Sequence, residues 1–171
     1  MEHVLRLFVG PVPALAALAG GAPDARIYEL TAASDLLVLL LDDGLHEALH
    51  AAYGTGEWLE SGPRLTTRDL AAGAAASRGA GLAYVEIEAG DGEGRQSAVV
   101  WIDGALAMHP VTMSVRERRA RAPAFWPVNA ALRALGVKAL GGVDELSTFG
   151  LAGLRDASDL EAAGRSVGWR S

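Results

Sequence analysis

The dipeptide Asp103-Gly104 constrains this chain more than any other feature. It separates two apolar, β-prone segments, residues 96–102 and 105–109. Both central residues of a type I′ turn need positive φ, which Gly adopts freely and Asp tolerates, so the pair predicts a two-residue hairpin. Residues 99–102 should then pair with 105–108. A third strand, 82–88, precedes them across the glycine-rich break Gly90-Asp91-Gly92-Glu93-Gly94, which reads as a flexible hairpin connection. Residues 82–110 therefore predict a three-stranded antiparallel meander.

The rest of the chain alternates short apolar runs with helix signals. Residues 4–9 read as a buried strand, and a first helix begins near Pro13 and stops at Gly20-Gly21. Residues 26–30 and 36–41 are further strands; the second, five Leu and one Val, suits a strand buried on both faces. Asp42-Asp43 sits at the N-cap of a helix over 44–53, followed by a loop over 57–64. Thr66 and Asp69 form an approximate capping box for an Ala-rich helix over 67–77, in which Gly73 costs about 1 kcal/mol relative to Ala. Residues 114–122, rich in Arg, read as a solvated loop. A helix over 128–135 should end with Gly136 at positive φ, and short helices are expected over 144–149 and 156–163.

Together these elements predict a single α+β domain over residues 1–164, with residues 165–171 as a flexible tail unless Trp169 docks. The sheet should be mostly antiparallel, including the central meander of residues 82–109, with helices packed against it. The strand–helix–strand of residues 4–30 adds one candidate parallel pair, which would make the sheet mixed.

Composition excludes several functions. With 15 Lys+Arg against 21 Asp+Glu the net charge is −6, which offers no basic footprint for nucleic acid. No Cys is present, so disulfides, thiolate nucleophiles and Cys-based zinc sites are out, and a reducing, cytoplasmic location is expected. No apolar run approaches the ~20 residues of a membrane span. Residues 5–21 resemble a signal segment in their Ala-rich end, but Glu2, Pro11 and Pro13 argue for a first strand and helix instead.

One stretch matches a motif of known chemistry. His46-Glu47-Ala48-Leu49-His50 matches H-E-x-x-H and resembles the zinc-binding helix of the zincin metalloproteases. The resemblance implies His46 and His50 as zinc ligands and Glu47 as general base. The extended zincin pattern is not continued, since Tyr53 and Gly56 stand where a glycine and a third histidine would be. A third ligand would have to be Glu57, Glu60 or His109, and spacing selects none of them. The expectation adopted is instead a solvent-facing helix surface: His46 and His50 exposed, no third His, Asp or Glu converging on them, and no metal cofactor.

Three function classes follow. The leading expectation is a non-enzymatic, immunity-like module that binds another protein, with Phe125 and Trp126, between Pro123 and Pro127, as aromatic anchors. The second is a zinc-dependent hydrolase built on His46, Glu47 and His50. The third is a small-molecule-binding domain with a pocket between sheet and helices.

Overall fold

The hairpin forms as its turn chemistry requires. Asp103 has φ 50° and Gly104 φ 82°, and Ile102 faces Ala105 across the turn. The computed structural model describes residues 3–90 and 94–170, so Asp91, Gly92 and Glu93 of the glycine-rich connection lie outside the described residues. Strands β4 (Gly81–Ala89), β5 (Arg95–Ile102) and β6 (Ala105–Ser114) make the expected antiparallel meander. β6 runs beyond its expected end at His109, through Pro110. Proline has no N–H for a ladder bond, and this is tolerated because β6 lies at the sheet edge, with His109-Pro110 bulged opposite Val99.

Strands β1 (His3–Gly10), β2 (Ile27–Glu29), β3 (Leu37–Leu40) and β7 (Arg165–Val167) complete a seven-stranded open sheet of order β6-β5-β4-β1-β3-β2-β7. Every described pairing is antiparallel, and the fold is α+β. The candidate parallel pair does not form. β3 inserts between β1 and β2 and is antiparallel to both, so those two strands share a direction but no ladder. A strand as apolar as β3 is best buried away from the edge, between two neighbours.

The expected tail needs a second correction over residues 165–170, where Trp169 docks. Arg165–Val167 pairs with β2, Arg165 donates to Glu29 at 2.6 Å, and Trp169 packs against the core with its Nε1 3.4 Å from the Ala25 carbonyl. Without this segment the β2 edge would expose a row of unpaired backbone groups.

Alternation along the strands gives the sheet two apolar faces. Phe8, Tyr84, Val99 and Trp101 point to one core, shared with helices α1 (Val12–Ala19), α2 (Asp43–Tyr53) and α3 (Thr67–Ala76). Leu7, Val85, Ala98 and Val100 point to the other. That face is covered by α5 (Pro127–Ala134), α6 (Glu145–Phe149) and α7 (Ala157–Ala163). Burying both faces gives the sheet's central strands their long apolar runs. Among the described residues no helix is long and apolar enough to cross a membrane.

The Arg-rich segment is not a loop throughout: Val115–Arg119 forms the short helix α4. Its capping box is complete, with Glu117 accepting from the Ser114 N–H at 2.7 Å and Ser114 Oγ accepting from the Glu117 N–H at 3.2 Å. α5 ends as expected on Gly136, φ 94°. Gly136 N–H bonds the Arg133 carbonyl at 2.9 Å and Val137 N–H bonds Leu132 at 3.0 Å, while Val137 is buried beside Leu132.

Candidate metal centre

α2 starts where an aspartate can cap it: Asp42 Oδ1 accepts the Leu45 N–H at 2.8 Å. Leu45 and Leu49 anchor the helix in the core. His46 and His50 follow at the same spacing on the adjoining strip, half-buried, with ring centroids 4.0 Å apart. α3 starts at Thr66, whose N–H and Oγ donate to Asp69 Oδ2 at 2.7 and 2.9 Å. Thr66 Oγ in turn accepts from the Asp69 N–H at 3.1 Å. The predicted capping box is therefore present, and it clamps the Asp69 side chain in the first turn of α3.

Packing of α2 on α3 brings this carboxylate under the two imidazoles. His50 Nε2 lies 3.9 Å from Asp69 Oδ1, and His46 Nε2 lies 3.9 Å from Asp69 Oδ2. One ligand atom from each of His46, His50 and Asp69 falls within 4.8 Å of the others. The expectation of an exposed face with no converging third group is thus overturned in its geometry. A short amphipathic helix beside a second helix turns part of its polar strip into an interhelical seam, which a reading of α2 by itself does not reveal.

Two polar atoms of the seam have no hydrogen-bond partner among the described residues. Asp69 is 2% exposed, yet among the described residues its Oδ1 has no hydrogen-bond partner, and neither does the buried His50 Nε2 facing it. At 3.9 Å the two are beyond hydrogen-bond length. Leaving a buried polar group unsatisfied costs about 1–3 kcal/mol, and more for a charged one. A tetrahedral zinc ion, with bonds of ~2.0–2.2 Å to His nitrogen and carboxylate oxygen, spaces its ligands roughly 3.3–3.5 Å apart. The three ligand atoms, within 4.8 Å of one another, would have to draw together to reach that spacing. Thr66, by holding Oδ2, leaves Oδ1 facing His50, as an outer partner of a metal-bound carboxylate does.

Glu47 is exposed on α2, next to His46. None of the three proposed third ligands joins the cluster. Glu57 and Glu60 lie exposed on the loop after α2, and His109 is exposed on the edge strand β6. Asp69 was visible in the sequence only as a capping residue. The available signal was that a capping box engages one carboxylate oxygen and leaves the other free. Phe125 ends a 3₁₀ turn, Pro123–Phe125, and is 64% exposed. Trp126 is half-buried, its indole N–H shared between the carbonyls of Arg118 at 2.9 Å and Arg121 at 3.2 Å. Comparison of the chain with protein-family models, with characterised proteins and with solved structures finds no match.

Proposed function

We propose that the chain binds zinc through His46, His50 and Asp69 and uses it for hydrolysis. The observation that carries this reading is the pair of buried, unpartnered atoms, Asp69 Oδ1 and His50 Nε2, facing each other across a space suited to a cation. Two imidazoles and one carboxylate suit zinc, and three protein ligands leave a coordination position for water. Metal-bound water ionises near neutral pH, which supplies a hydrolytic nucleophile. Glu47 is the acid–base residue that the H-E-x-x-H resemblance supplies.

The test is zinc titration of chelator-stripped protein by calorimetry, with metal content measured after dialysis. One zinc per chain is expected, lost in His50→Ala and weakened at least tenfold in Asp69→Asn. Glu47→Gln should keep the metal and lose hydrolysis. If wild-type protein takes up no zinc, the cluster is a polar His–Asp contact between α2 and α3, and the hydrolase reading falls.

A second reading, binding of another protein, is favoured by the exposure of Phe125. An anchor of that kind loses most of its affinity on truncation to Ala. Trp126 serves it less well, because its indole N–H is already committed to the α4 end.

A further inference from the structure

Next to the seam, the face of the sheet that carries α1, α2 and α3 changes from apolar to polar. Arg6, Glu86, Ser97 and Thr112 are successive cross-strand partners over β1, β4, β5 and β6, one row beyond Phe8, Tyr84 and Val99. Over this row folds the loop of residues 57–66. It is closed at its base by the Trp58–Thr66 bridge and the Leu59 N–H bond to the Leu65 carbonyl, 3.0 Å. Its tip is tied down by the Arg64 N–H, which donates to Glu86 Oε2 at 3.3 Å.

Between loop and sheet runs a groove of about 690 Å³, and three arginines are among the residues that line it: Arg6, Arg64 and Arg95. Arg95 is bonded to Glu88 at 2.8 Å, so Arg6 and Arg64 carry the argument. Glu86 already accepts from the Tyr84 hydroxyl at 2.9 Å and from Arg64 N–H. Arg6 Nε, shielded from solvent, pairs with that carboxylate at 3.6 Å and makes no hydrogen bond among the described residues. Arg64 is held by its backbone N–H and is an exposed residue of the groove lining. The wall toward the metal centre is Trp58, 59% exposed, whose ring centroid lies 6.0 Å from that of His46. Glu60 also lies on the lining, which leaves room for one acidic group rather than a polyanion.

We propose that this groove binds a small organic anion, a carboxylate or a phosphate ester. Its acidic group sits on Arg6 and Arg64, and its flat or apolar part lies against Trp58. Guanidinium groups match the planar or tetrahedral oxygens of such acids in paired hydrogen bonds, and the indole face supplies apolar area. That this molecule is the substrate of the neighbouring metal centre rests on the zinc reading; its binding does not.

Calorimetric titration with phenyl phosphate and with benzoate, on chelator-stripped and on zinc-supplemented protein, tests the proposal. Saturable one-site binding of at least one probe is expected in both forms. Arg64→Gln and Trp58→Ala should each weaken it about tenfold or more, whereas His50→Ala should leave binding to the stripped protein unchanged. Preference for one probe tells the phosphate from the carboxylate. If neither probe saturates, or both groove variants bind as wild type does, the proposal is overturned. Anion binding without zinc uptake removes the metal reading alone, and zinc uptake without anion binding removes this one alone.

Discussion

By helix propensity Gly73, inside α3, is a defect costing about 1 kcal/mol against alanine. Its neighbour across the core reverses the sign. A Cβ on Gly73 would stand 2.5 Å from Trp101 Cζ2 and 2.7 Å from Cε2 and Cη2. Trp101 is 1% exposed, so its ring has nowhere to move. Gly73→Ala should therefore lower the melting midpoint, with an overpacking penalty of about 1–3 kcal/mol outweighing the propensity gain. A raised midpoint would mean that the indole repacks without cost. Asp69 is the same lesson in polar form: a residue whose local role is plain acquires a second one from a neighbour remote in sequence.

At the scale of elements, α6 is too short to persist unaided and is held by side chains from its surroundings. Asp144 caps it through the Ser147 N–H at 2.9 Å, Asn129 Oδ1 accepts the Leu146 N–H at 2.8 Å, and Arg133 donates to Glu145 at 2.8 Å. The hydrogen bond from Arg133 holds the Glu145 carboxyl below the usual carboxylate range. A carboxyl whose folded pKa is depressed stabilises the fold above its unfolded value, about 4.3, and loses that contribution as pH falls through the folded value. Glu145→Gln should therefore be less stable than wild type in urea unfolding at pH 7, with the gap narrowing toward pH 3. An equal gap at both pH values would show that the carboxylate charge contributes nothing.

Over the whole molecule, the last residues close the sheet. β7 covers the β2 edge, and Trp169 lies half-buried against the first core, with Arg170 over its ring at 4.7 Å and donating to the Ala22 carbonyl at 2.6 Å. At roughly 25 cal/mol per Å² of apolar surface, partial burial of an indole is worth about 1–3 kcal/mol. Trp169→Ala should lower the melting midpoint by about 2–4 °C per kcal/mol lost. An unmoved midpoint would return these residues to the status of a tail.

The elements legible in the sequence are those set within a few residues. They include the Asp103-Gly104 turn, the caps at Asp42 and Thr66, and the left-handed Gly136, because backbone torsion and first-turn hydrogen bonds are local. The α4 capping box at Ser114 and Glu117 was equally local and was obscured by the surrounding arginines. H-E-x-x-H was legible as a pattern too, since helical spacing by itself puts His46 and His50 on one strip. The insertion of β3 between β1 and β2, the docking of β7 and the meeting of Asp69 with the two histidines were decided only by tertiary structure. Each depends on which face of one element buries against which face of another, and that choice is made by the total apolar area covered, not by any short run of residues.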